Sequence, residues 1–385
     1  MATWILDSAL SDSCGHHDNF ARGWQRQSKR TGKEVHIFGA LGCSSTLRSE
    51  LGVRPVFSRT IYDRKSCGSF QDALEEHDAF AASFARDMHL SGCEPGTGDL
   101  LILPTAIAAE VEGLGRWLGR RHSIVHVACL FHWGTTKSLA PETFAARLLA
   151  NALNKLKAAG SGELWLGAMH LSLQTALSAI VPDEVHLVPS VTFFPDLGQP
   201  QLQREAQSRV PSIGVMGGAR YSKGIAVIPE LALRANAEAL DVNFVVQAHG
   251  GAKSILLELP SWTNNVAVFE DWLDGESFVQ MIERLDAALL PYERSEYQAM
   301  VSGVFTLAAA SGLPCIVPSD TWMSERIKSG EAVGVIYEGS DVCSILSAIR
   351  TFLNNQVELR FAAQERRSEW SWKYSGDRLF ERLAG

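Results

Sequence analysis

Short apolar runs rich in β-branched residues alternate with longer stretches of helical period along most of the chain, the pattern of parallel sheets covered by helices. In the first half the runs predict strands at Thr3–Asp7, Glu34–Gly39, Leu100–Pro104, Ser123–Leu130, Leu164–Ala168 and Glu184–Val188. Amphipathic stretches between them predict helices at Asn19–Thr31, Phe70–Leu90, Ile107–Arg121, Pro141–Ala159 and Leu171–Ile180. Residues 189–212 hold Pro189, Pro195, Pro200 and Pro211 amid Gln and Ser and read as an interdomain connection. The alternation then restarts, with strands at Ser212–Met216, Asn243–Gln247, Val266–Phe269, Ala287–Leu290, Pro314–Pro318 and Ala332–Tyr337. Helices fit Ile225–Ala239, Gly275–Leu285, Gly303–Ser311 and Trp322–Ser329, and the tail from Asp341 to Phe380 is helical in pattern, broken near Ser368–Ser375. The economical architecture is α/β, two Rossmann-like domains facing a cleft, with ligands expected at the carboxyl ends of the strands.

A length of 385 residues exceeds one ordinary core and agrees with two domains. The formal net charge of -8 argues against sequence-independent binding of nucleic-acid backbones. No apolar run approaches the roughly 18 residues of a membrane span, and the start, Met1 to Asp7, lacks the basic region of a signal peptide. Seven scattered cysteines without a C-x-x-C pair suit reduced thiols. The expectation is a cytoplasmic protein, at most in peripheral contact with the inner face of a membrane. The basic segment Arg116, Arg120, Arg121 is the best place for such contact, against the plainer reading of a solvated helix end.

The most informative segment runs from Ser212 to Gly224. An apolar run (Ile213, Val215, Met216) meets paired Gly217 and Gly218, and the cations Arg220 and Lys223 follow before Gly224 opens a helix-like stretch. Glycines after a strand let the backbone approach a ligand, and a helix N-terminus presents unpaired N–H groups and the positive end of its dipole. Arg220 and Lys223 can then clamp a diphosphate from one side. A strand-to-helix turn with two solvated cations is the bland alternative. Further on, Leu289-Leu290-Pro291-Tyr292 ends a strand, and Ser302-Gly303-Val304 opens a helix whose N–H groups can bind a phosphate or sugar oxygen. Ser302 as a plain N-cap is compatible with both readings. The cations make a metal unnecessary and no suitable Asp-x-Asp is present, so neither metal nor cofactor is expected.

In order and spacing, Gly217–Gly224, Val266–Leu273, Ala287–Tyr292, Ser302-Gly303-Val304-Phe305 and Ala309–Val317 resemble the donor-nucleotide domain of GT-B glycosyltransferases, especially the retaining family 4 type. Trp370-Ser371-Trp372 resembles the segment that crosses back to the first domain in that fold. The resemblance implies an acceptor-binding domain over residues 1–198, a nucleotide-sugar-binding domain over 199–369, and a C-terminal helix, 370–385, packed back on the first. It implies transfer of a sugar from a nucleoside diphosphate to an acceptor hydroxyl with retention, in polysaccharide or glycoconjugate synthesis. It also places the nucleobase near Phe269–Leu273, where Trp272 stacks or merely fills core and Leu273 offers backbone groups. In one respect the chain departs from family 4: the positions matching its paired glutamates hold Ala299 and Leu307, which leaves Glu293 and Glu296 as the nearby carboxylates.

After the first strand, Gly15-His16-His17-Asp18 puts two imidazoles where the GT-B resemblance implies a glycine-rich loop near acceptor and donor sugar. One can act as base or hydrogen-bond the diphosphate; capping of a helix from Asn19 is the alternative. His132 and His170 stand at strand ends and are acceptor-side candidates, His126 reads as a satisfied core histidine, and His249 ends the second strand of the donor domain. Three functions stay open: a glycosyltransferase acting on a carbohydrate, lipid-linked or small-molecule acceptor, a nucleotide-sugar epimerase, and a non-catalytic sugar- or partner-binding relative.

Overall fold

The computed structural model describes residues 1–12, 15–63, 67–132, 139–160, 162–188, 210–217, 221–248, 263–270, 275–298 and 300–384. The chain divides into two compact units, Met1–Phe193 with Gly376–Gly385, and Phe194–Ser375. In the first, β1 (Thr3–Leu6), β2 (Val35–Ala40), β3 (Arg54–Phe57), β4 (Leu100–Leu103), β5 (His126–Phe131), β6 (Leu164–Ala168) and β7 (Val185–Leu187) form one parallel sheet. Its order is β3-β2-β1-β4-β5-β6-β7. In the second, β8 (Ser212–Val215), β9 (Asn243–Gln247), β10 (Val266–Phe269), β11 (Ala287–Leu289), β12 (Cys315–Pro318) and β13 (Gly334–Tyr337) form another, in the order β10-β9-β8-β11-β12-β13.

Both orders reverse beside the first strand of the unit. Thr3 pairs with Val35 on one side and Leu100 on the other, and Ile213 pairs with Phe244 and Ala287. At such a reversal the outgoing loops diverge to opposite faces and leave a crevice beyond the carboxyl ends of the strands. In the first unit that point is held by Asp7 after β1 and Pro104-Thr105 after β4; in the second it is Met216-Gly217 after β8 and Leu290–Tyr292 after β11. The strands β1, β4 and β12 (TWIL, LLIL and CIVP) are buried throughout, as strands covered on both faces must be.

The helix Ala108–Leu118 packs very closely on helices Phe70–Leu90 and Phe144–Ala158. A Cβ on Gly113 would stand 2.8 Å from Ala81 O, and one on Gly115 3.1 Å from Leu156 Cα. Beside these contacts lies Glu112, 3% exposed, which accepts from Lys155 Nζ (2.8 Å), Arg116 (2.6 Å) and His77 Nε2 (3.0 Å). Burial pushes its carboxyl up, but the donors outweigh it and hold the pKa at about 2. Arg116 also reaches Asp78, and Arg121 lies 4.4 Å over Trp117, so two of the three cations proposed for membrane contact serve this unit. Among the described residues no helix is long and apolar enough to cross a membrane.

Several elements differ from the sequence expectation. Strand β3 escaped notice because Arg54 and Pro55 break its apolar pattern; it is an edge strand, where proline is tolerated. The helix Ser45–Leu51 is short, but its signals were present: Ser44 caps Leu47 N, and Gly52 ends it at φ 65°. The stretch predicted to be one helix from Ile225 is a 3-10 turn, Ile225–Val227, followed by a helix from Ile228. The tail breaks at Asn355 and again after Lys373. Trp370 belongs to the second unit, its Nε1 donating to Thr306 O at 2.9 Å and its ring stacked on Tyr374 at 4.0 Å. The helix Gly376–Ala384 belongs to the first, where Phe380 meets Trp24 edge-on at 3.8 Å.

Glu112→Gln removes a charge that three donors converge on and is expected to cost about 2 kcal/mol in urea unfolding of the first unit at pH 7. Because the folded pKa is depressed, the contribution is present above the unfolded carboxyl pKa and fades as pH falls toward about 2. The gap between wild type and variant should therefore narrow on acidification; a constant gap would count against the charge.

Candidate functional site

In the first unit the polar groups gather at the reversal point. Asp7, 3% exposed, follows β1; its Oδ1 accepts from Ala9 N at 3.1 Å and its Oδ2 lies 2.8 Å from His17 Nδ1. His17 Nε2 stands 3.0 Å from the Tyr62 hydroxyl. Nδ1–H donates to the acceptor carboxylate, and in the neutral ring Nε2 then accepts from Tyr62 O–H. The helix expected from Asn19 instead starts at Gly15, whose φ of +77° suits glycine. His16, His17 and Asp18 therefore occupy its first turn, and Asp18 accepts from Arg22 Nε at 2.8 Å.

The His16 ring lies 3.8 Å from that of His17 and 5.5 Å from that of His132. His16 keeps an exposed surface, yet the protein mass around it, then His17 and His132, lower its pKa well below 6.5. His132 donates from Nε2 to Pro104 O at 2.8 Å; burial, then His17, lower its pKa to about 4. His170 ends β6 as expected for a strand-end residue, but it is spent as a cap, its Nδ1 accepting from Leu173 N at 3.1 Å, and burial lowers its pKa to about 4. His126, read as a core residue, opens β5 with its side chain 41% exposed, because the strand begins three residues later than expected. Beneath Asp7, Ser8 Oγ donates to Glu110 Oε1 at 2.6 Å; burial, with Asp7 adding, raises Glu110 to about 8. Among the described residues no group of three or more His, Cys, Asp or Glu side chains is placed to hold a metal ion.

In the second unit, three segments converge beyond β8. Gly217, at φ +93°, leaves no space for a side chain, since a Cβ there would collide with Val304. Its N–H donates to Gln247 Oε1 at 2.9 Å and its carbonyl accepts from Lys223 Nζ, which lies 5.7 Å over the Tyr292 ring. Lys223 ends the 3-10 turn Tyr221–Lys223, and Gly224, at φ +73°, brings that turn against Pro291 O; Glu293 N closes the contact on Ser222 O at 2.9 Å. Tyr292 is buried, which raises its phenol pKa, and its hydroxyl lies near Ser302 without the alignment of a hydrogen bond. Ser302 caps the helix Gly303–Ala310 by accepting from Phe305 N at 3.2 Å. The N–H groups of Gly303 and Val304 have no partner within the helix, and open space surrounds the Cβ position of Gly303.

An ammonium group and the first turn of a helix therefore both lie against Gly217. That pairing suits an anion, by charge and by hydrogen bonding alike. Glu296 is exposed on the short helix Arg294–Tyr297, and Leu307 packs half-buried against the apolar core. Gly218, Arg220, His249, Trp272 and Leu273 lie outside the described residues.

No protein-family model and no curated protein sequence matches the chain. Solved structures do. The sucrose-phosphate synthase of Thermosynechococcus elongatus matches at TM-score 0.61 and 14% identity, over 100% of this chain and 97% of that one. A glycosyltransferase of Rickettsia africae ESF-5 matches at TM-score 0.66 and 11% identity, over 100% and 96%. Anabaena HepE in complex with UDP and glucose matches at TM-score 0.61 and 14% identity, over 100% and 98%. The fold is GT-B. At such identities the likeness carries the architecture of the GT-B fold and leaves the chemistry to the residues.

Asp7 and Tyr62, the partners of His17, and the buried Glu110 were not singled out from the sequence. Asp7 carried a signal, an acid directly after the first apolar run at a strand's carboxyl end. Tyr62 carried none, because it reaches His17 across 45 positions.

The buried histidines give a pH test. Their folded pKa values lie below the unfolded 6.5, so their contribution to stability is full above that value and is lost as pH falls toward about 4. Imidazole NMR should show His132 and His170 titrating near pH 4, with urea stability falling between pH 6.5 and 4. In His170→Asn, which keeps a capping side chain, that fall should be shallower; an unchanged slope would refute the assignment.

Proposed function

We propose that the chain is a glycosyltransferase that moves a sugar from a nucleoside diphosphate to an acceptor hydroxyl without a metal. The observation that carries this reading is the grouping at the end of β8, where Lys223 and the first turn of Gly303–Ala310 both lie against Gly217. As the bond from the anomeric carbon to phosphate breaks, the electron pair leaves with the diphosphate, and these groups stabilise the growing charge. Arg220, from the same segment, is proposed as a second cation. Likeness to HepE with UDP and glucose, and to an E. coli protein solved with UDP-2-fluoro glucose, supports a nucleotide-sugar donor. A carbohydrate, lipid-linked or small-molecule acceptor and a place in polysaccharide or glycoconjugate synthesis belong to the same proposal.

His17 is proposed as the base. Asp7 holds its Nδ1 proton, so Nε2 can take the proton of an acceptor hydroxyl whose oxygen forms the new bond to the anomeric carbon. The family resemblance carries retention. The Asp7–His17 pair favours direct displacement with inversion instead, and the anomer of the product, read by NMR, separates the two.

A thermal-shift panel of UDP, GDP, ADP, dTDP and CMP in EDTA is the direct test, since a ligand of the folded state raises Tm. One diphosphate should stabilise the wild type and lose its effect in Lys223→Ala and Gly217→Ala. Lys223→Ala should also lower kcat by about 100-fold or more. Stabilisation by no nucleotide would move the assignment to a non-catalytic relative, and acceptor-independent change of the donor sugar would make the chain an epimerase.

A further inference from the structure

Tyr62 is 60% exposed, yet its hydroxyl reaches a histidine that is only 7% exposed. The turn that carries it is folded by its own bonds: Thr60 N donates to Asp63 Oδ2 at 2.8 Å, Tyr62 N to Thr60 Oγ1 at 3.2 Å, and Asp63 N to Thr60 O at 3.0 Å. The phenol ring meets the imidazole edge-on, at 89° and 5.9 Å between centroids. With Asp7 on Nδ1, the Tyr62 O–H fills the one remaining lone pair of the ring. A neutral O–H donated to Nε2 is also the contact an acceptor hydroxyl must make before it is deprotonated.

We propose that Tyr62 is a stand-in for the acceptor: its hydroxyl covers His17 Nε2 until an incoming hydroxyl of the same chemistry replaces it, and it thereby keeps water off the base. The proposal rests on the reading of His17 as base. The exchange is one neutral hydrogen bond for another and exposes little new surface, since the ring already faces solvent. Water can make the same bond, but it lacks the remaining contacts by which a bound acceptor would hold its hydroxyl in place, so Tyr62 is displaced selectively. The Tyr62 ring then stays beside the acceptor, where it can turn an apolar face to the sugar or aglycone.

Two measurements separate the stand-in from the transferase reading. The first uses the full chain without substrate. Diethyl pyrocarbonate acylates neutral imidazole, and peptide fragmentation distinguishes His17 from His16. In Tyr62→Phe, which keeps the ring and removes the hydroxyl, His17 should be labelled about fivefold faster, the factor one net hydrogen bond supplies. Equal rates in wild type and variant, with equal melting temperatures, overturn the proposal whatever the enzyme does. The second uses turnover with the donor found by the nucleotide panel. Tyr62→Phe should lower the acceptor KM several-fold with little change in kcat and raise acceptor-independent hydrolysis of the donor. Faster labelling with an unchanged KM and unchanged hydrolysis would overturn the stand-in role. Faster labelling in a chain that binds no nucleotide would instead refute the transferase reading and leave Tyr62 as a cover on a buried imidazole.

Discussion

The reversal of strand order beside β1 and again beside β8 is the constraint on which the rest depends. A parallel sheet that grew in one direction would send every outgoing loop over its neighbour. Here β1 has its successor β2 on one side and β4 on the other, and β8 is placed likewise between β9 and β11. Beyond the carboxyl ends of those strands the backbone parts, and the polar residues that no core could hold collect in the gap: Asp7, His17 and Glu110 in one unit, Gly217, Lys223 and Ser302 in the other. The two gaps differ in character. In the first, burial raises the Glu110 carboxyl to about 8 and lowers the His132 imidazole to about 4; the second is built of an ammonium group and backbone N–H groups.

Much of the architecture was legible because buried parallel strands leave a dense signal. Leu100–Leu103, residues 244–246 and Cys315–Pro318 are short, mainly apolar runs set between longer stretches of helical period, the length and composition of strands covered on both faces. Where the signal thinned, the reading failed for local reasons. Arg54-Pro55 on an edge strand need not be apolar on both faces, and a histidine pair at a helix start reads as loop when the αL glycine before it is taken for a turn. The longer view of the first site was beyond sequence. Nothing in Tyr62 points to His17, and nothing in the helical pattern around Glu110 shows that it is buried against Ser8.

The second unit shows the opposite balance. Gly217, Lys223 and Ser302-Gly303-Val304 were singled out by the chemistry their spacing implied, and the structure brings Lys223 and Val304 against Gly217. The absent glutamate is explained in plain packing: Leu307 faces the apolar core, and a carboxylate there would need both a new partner and a different environment.

The first unit takes residues from both sides of the second, Met1–Phe193 and Gly376–Gly385, so the second is inserted into it. Synthesis runs from one end, and the last helix, Gly376–Ala384, brings Phe380 to Trp24 only after the whole second unit has been made. Residues 1–193 are thus made before the second unit and finished after it. Until then Trp24 lacks its edge-on partner, and the second unit, whose sheet needs no residue beyond Ser375, is free to fold first.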